Sequence, residues 1–136
     1  MSSNFTFRFE SILNLKDKIE GNKRHDFGMA VRRLEHEKMN LSHLESKRLG
    51  IIEELKTKSQ KAIKVQDYRN IANNIHTLDK SIDNQSTIIK RHENTVEICK
   101  DALINAKKET KIFQKIKEND YKQYKYKEAK LEEMLV

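Results

Sequence analysis

The sequence predicts an all-α protein, a long two-helix antiparallel coiled-coil hairpin, and three observations carry that expectation. Its 136 residues contain no proline and only three glycines, so little in the chain forces the backbone out of a helix. Apolar residues recur in an alternating four-three spacing in both halves of the chain, the repeat that keeps one stripe against a partner helix. Between the halves, the stretch from Thr57 to Asp67 is polar and rich in lysine, which is where the chain is expected to turn back.

Helix one is expected over about 5–60. Its clearest stripe runs through Phe27, Ala30, Leu34, Glu37, Leu41, Leu44, Arg48, Ile51, Leu55, Lys58 and Ala62, with Glu37, Arg48 and Lys58 as polar interruptions. Upstream, Phe5, Phe9, Ile12 and Ile19 read as a stripe in another phase, so a register shift is expected between Gly21 and Gly28. Each glycine there costs a helix about 1 kcal/mol. A turn is expected over about 61–67, with Asp67 as N-cap of the run that opens at Tyr68.

Helix two, expected over about 68–134, carries the stronger stripe. It passes through Ile71, Ile75, Leu78, Ile82, Gln85, Ile89, His92, Val96, Cys99, Leu103, Ala106, Thr110 and Phe113. A turn centred near residues 64 and 65 would place Glu37 opposite His92. The arms would be roughly 85 to 100 Å long at 1.5 Å per residue, and the whole chain, 1–136, reads as one coiled-coil domain. Beyond Phe113 the second helix is expected to outrun the first, leaving a tail with Tyr121, Tyr124, Tyr126, Leu131 and Met134.

Apolar and charged residues each make up 36% of the chain. That balance suits a narrow seam rather than a multilayer core, and the regular spacing argues against disorder. No run of about 18 apolar residues exists that could span a bilayer, and the opening MSSNFTFRFESIL lacks the apolar core of a secretory signal. A cytoplasmic location is therefore expected. The lone Cys99 agrees with a reducing compartment and reads as a small buried seam residue. The Asn-x-Ser/Thr triplets at Asn4, Asn40 and Asn84 then carry no glycosylation meaning.

No enzyme is expected, because the phosphate loop, GxSxG and HExxH constellations are all missing and a two-helix hairpin offers no concave site for paired carboxylates. His25, His36 and His43 read as scattered surface histidines, since a metal site needs at least three converging ligands. No cofactor is expected either. The net charge of +7 suits nucleic acid, a membrane surface or an acidic protein. It is concentrated in the stretch from Lys107 to Lys130, where nine lysines outnumber four acids and tyrosines are interleaved. Stacking and phosphate contact would make that stretch a nucleic-acid binder, but arginine is scarce and no nucleic-acid motif accompanies it.

Three segments, in order, resemble the FliJ family of flagellar type III export proteins. Phe5, Phe7 and Phe9 running into Ile12, Leu13, Leu15 and Lys16 match the family's opening. Leu78, Asp79, Lys80 and Ile82 after Tyr68, Ile71 and Ile75 resemble the start of its second helix. Val96, Leu103, Ala106, Lys107, Phe113, Lys115, Ile116, Lys117 and Glu118, leading to Tyr121 and Tyr124, resemble its closing helix. Asn74 departs from the family's aromatic or large apolar residue, and Glu132, Glu133 and Met134 only approximate its Leu-Asp-Glu ending.

The resemblance implies a coiled coil similar to the central stalk γ subunit of rotary ATPases, inserted in the hexameric export ATPase ring and coupling it to the membrane export gate. It also implies handling of empty export chaperones at the cytoplasmic face of the inner membrane. Nucleic-acid binding and direct membrane insertion are not implied. Carried over by position, the ring-facing residues would be Phe5, Phe9, Ile12, Leu13, Lys115, Lys117, Tyr121 and Lys122. The gate-facing residues would be Ile71, Asn74, Leu78, Ser81 and Gln85. The rivals are the equivalent stalk protein of an injectisome and a basic coiled coil that binds nucleic acid.

Overall fold

The computed structural model describes residues 5–135. They form two long helices packed against each other, α1 (Glu10–Ser59) and α2 (Val65–Leu135), and no strand is found among the described residues. The connection spans residues 60–64, where Lys61 N–H donates to the Lys58 carbonyl at 3.1 Å and closes the last turn of α1. Asp67 does not cap the second helix as expected. The helix begins earlier, at Val65, so Asp67 sits inside the first turn, where its charge still opposes the positive end of the helix dipole.

The described residues divide into two compact units: residues 5–28 with 98–135, and Met29–Glu97. In each, a segment of α1 lies antiparallel to a segment of α2. In the Met29–Glu97 unit, Ala30, Leu34, Ile71 and Ile89 are buried. In the other, Phe7, Leu13, Leu103 and Ala106 are. Every expected seam residue of α2 from Ile71 to Phe113 is buried or half-buried, and so is every one of α1 from Phe27 to Leu55. Lys58 and Ala62 are exposed, because α1 ends at Ser59 and the seam ends with it.

Further expectations fail at the start of the chain. The first helix begins at Glu10 rather than near residue 5; the Phe5–Phe9 stretch precedes it as a non-helical segment. The register shift near Gly21 and Gly28 is absent, and α1 runs unbroken through both glycines. Its seam continues upstream in the same phase through Phe27, Lys23, Glu20, Lys16 and Leu13, all of them buried or half-buried. Three of those positions are polar, so the apolar residues alone point to Ile12, which is 40% exposed while Leu13 takes the buried place.

The cross-helix register also differs. Glu37 is hydrogen-bonded to Gln85, two turns before His92, and Arg48 Nε meets Asp79 Oδ1 at 2.5 Å. The connection is centred a few residues earlier than expected, and the pairing moves with it.

Candidate partner-binding surfaces

The unit built from residues 5–28 and 98–135 closes with an aromatic clasp. Phe5 meets Tyr121 edge-on with centroids 5.4 Å apart and lies 5.5 Å from Tyr124. Phe9 stands edge-on to both Phe7, at 5.8 Å, and Phe113, at 6.2 Å. Such edge-to-face pairs add to the gain from burying the rings. The segment gathers its rings outside a helix, and the chain turns at Arg8 and Phe9 before it enters α1. The backbone hands over at once to α1, with Glu10 N–H donating to the Phe7 carbonyl at 3.2 Å and Leu13 N–H to that of Phe9 at 2.9 Å.

Charge flanks the clasp. Arg8 Nε lies 3.3 Å from Asp120 and its guanidinium covers the Phe9 ring at 4.6 Å. Lys117 Nζ reaches Glu10 at 3.1 Å and approaches the Phe7 ring at 6.0 Å. About two turns deeper, Lys16 Nζ bonds Glu109 at 2.7 Å. Thr110, 2% exposed, sets its hydroxyl 3.1 Å from the Ala106 carbonyl and 3.3 Å from that of Lys16. That satisfied hydroxyl explains how a polar residue sits in the seam without penalty.

Of the expected ring-facing residues, Phe5, Leu13, Lys117 and Tyr121 come together around one groove of about 660 Å³. Phe9 packs in the clasp and Leu13 is core. Lys115 and Lys122 stand apart from that groove on exposed positions of α2, Lys115 only 3.7 Å from Glu118 one turn on. The expected set therefore combines two kinds of residue, a self-packed clasp and exposed lysines. Phe7 was not among the expected site residues, although it is the most buried aromatic of the clasp. The Phe-x-Phe-x-Phe period was its signal.

In the Met29–Glu97 unit the expected gate-facing residues follow one α2 stripe. Ile71 and Gln85 are buried, Leu78 and Ser81 half-buried, and Asn74 exposed. Gln85 Nε2 donates to the Glu37 carbonyl at 2.9 Å and to its carboxylate at 2.5 Å. Asn74 and Leu78 line a groove of about 290 Å³ with Lys47 and Ile51, and Gln85 lines another of about 540 Å³ with His43 and Lys47. This α1 wall was missed by sequence reasoning. The Arg48 to Asp79 pairing that brings it opposite Leu78 depends on a register the sequence did not fix.

Glu37 titrates below the ordinary carboxylate value, chiefly through the Gln85 hydrogen bond, opposed by partial desolvation and assisted by Asn40 and by the nearby His92 and His36. Those two histidines share a groove with Glu37, Arg32 and Arg33. Among the described residues, no three His, Cys, Asp or Glu side chains gather as a metal site would require, and no helix is long and apolar enough to cross a membrane. Near the connection, Lys58 is held above the ordinary lysine value by its bond to Glu54, 2.9 Å away.

Compared with known families, residues 5–136 match the family model described as FliJ: Flagellar FliJ protein. No curated protein and no solved structure matches the chain significantly.

Proposed function

From its membership of the FliJ family, as a structural component of the flagellar export apparatus, we propose that this chain is the non-enzymatic central stalk of the export ATPase ring. In this reading it couples the ring to the membrane export gate and handles empty export chaperones, at the cytoplasmic face of the inner membrane. The observation that carries the reading is the separation of roles at the clasped end. Aromatic rings there tie the segment that precedes α1 to α2, so the end is packed on itself before any partner arrives. Lys115 and Lys122 stay exposed beside it, where they can meet carboxylates of a surrounding ring at little cost in order.

The gate contact is assigned to the α2 stripe of Asn74, Leu78 and Ser81, with Ile71 and Gln85 as the buried residues that hold the stripe in place. A family match to the flagellar protein favours the flagellar stalk over its injectisome counterpart.

The test is ATP hydrolysis by the cognate export ATPase with and without the chain. Wild type should raise the rate, and Lys115→Glu with Lys122→Glu should abolish the increase while helicity stays unchanged. Absence of any response to the wild-type chain defeats the reading. Lys117 is left out of the variant because its bond to Glu10 gives it a folding role.

A further inference from the structure

The outward face of α2 in the clasped unit carries a row without a carboxylate. Opposite the buried Leu103, Ala106 and Thr110, exposed residues at helical spacing place Lys108, Lys111, Lys115, Lys122 and Lys130 on one side of the helix. Asp101 and Glu133 bound the row at its two ends. The acids between them lie off the row: Glu109 pairs with Lys16 and Asp120 with Arg8, Glu128 is half-buried with one carboxylate oxygen lacking a hydrogen-bond partner, and Glu132 is exposed on another side of the helix. Glu118, at the margin, makes only the 3.7 Å approach to Lys115. Lys108, Lys111 and Lys122 form no ion pair among the described residues.

The same row exposes apolar surface. Ile104 is 39% exposed, Ile112 56% and Tyr126 64%, and each lies within a turn of a lysine in the row. Nothing in the packing of the two helices requires isoleucine at positions 104 and 112. The face is the convex side of a helix, about 33 Å long from Ile104 to Tyr126 at 1.5 Å per residue. A convex ridge meets a flat surface along its whole length, whereas a protein groove would have to enclose it. Lysines carry compact, hydrated charge on long flexible stems, which suits a diffuse anionic surface better than bidentate recognition of single phosphates. Tyrosine is at home at the level of lipid headgroups.

We propose that this row docks the protein on an anionic phospholipid surface, with the lysines at the headgroups and Ile104, Ile112 and Tyr126 touching the boundary with the acyl chains. The contact is peripheral and reversible. It goes beyond the stalk reading and does not depend on it; Lys115 and Lys122 stand in both surfaces, so the lipid contact belongs to the chain outside the ring, and its test uses Lys108 and Lys111 instead. Each lysine near such a surface contributes roughly fivefold in partition, a contribution that fades beyond a Debye length.

The experiment is flotation of the full chain with vesicles of phosphatidylcholine alone or containing phosphatidylglycerol at about a third of the lipid, the anionic component that attracts basic segments. Binding should require phosphatidylglycerol and disappear at high salt. Lys108→Ala with Lys111→Ala should lower the partition by about thirtyfold, and Ile104→Ser with Ile112→Ser by less. Lys38→Ala with Lys80→Ala, which removes equal charge from the other unit, should change little. Equal binding to phosphatidylcholine alone, or equal loss in that control variant, overturns the proposal. So does a chain that ignores both vesicles yet binds a single-stranded oligonucleotide through Lys108 and Lys111, which would assign the row to nucleic acid.

Discussion

The two units solve the same packing problem with different chemistry. In the Met29–Glu97 unit the seam is keyed by polar groups: Gln85 against Glu37 near its middle, and Arg48 against Asp79 toward the connection. In the unit of residues 5–28 and 98–135 the seam is closed by rings, with Phe5, Phe7 and Phe9 set against α2 before α1 begins. Polar seam residues fix register at a cost in stability, while buried aromatics supply stability with less demand on register. One unit is thus specified and the other fastened, and the exposed cations proposed for the ATPase ring lie on the fastened one.

The largest effect should come from the fastener. Phe7→Ala removes the most buried ring of the clasp and should cost about 3 kcal/mol in urea unfolding, with hydrogen exchange rising first in the opening turns of α1. Next in size, Gln85→Leu strips Glu37 of its main partner and should destabilise the Met29–Glu97 unit by less than Phe7→Ala does. Glu37→Leu combined with Gln85→Leu should restore stability but loosen register, read as additional cross-linked products between paired cysteines on the two helices. If the single and double variants lose stability equally, the polar key is ordinary packing.

The Glu37 carboxylate also makes a pH prediction. Its titration is lowered in the folded chain from an ordinary value of 4.5. A depressed carboxylate contributes stability that is fully present above that value and is lost as pH falls through the folded one. Urea midpoints should therefore decline more steeply with acidification below about pH 4.5 in wild type than in the Gln85→Leu chain. Parallel curves would show that the hydrogen bond carries no weight. The smallest effect is expected from Asp79→Asn, because the Arg48 pair is more than a third exposed on both sides, and such pairs contribute at most about 1 kcal/mol.

Much of the fold could be read from the chain because an apolar stripe is a local signal. The seam from Phe27 to Leu55 and from Ile71 to Phe113 is recovered residue by residue. Where seam positions are polar, as at Lys16, Glu20 and Lys23, the stripe fades from the sequence although it persists in space. The Phe5–Phe9 segment reads as part of the helix by its apolar content, whereas its period of two belongs to the non-helical segment the structure has there. Register was out of reach for a different reason: it depends on the length of the connection, and residues 60–64 hold no turn signature of glycine or proline. Phe5 and Tyr121 are expected from the sequence as parts of a partner surface, and in the structure their rings pack against each other.

The assignment of the two units to two partners is tested most directly by site-specific photocrosslinking of the full chain to its export ATPase, with the probe at position 122 or at position 74. The account predicts a strong adduct with the ATPase from position 122 and none from position 74. An adduct from position 74 with none from position 122 would contradict it.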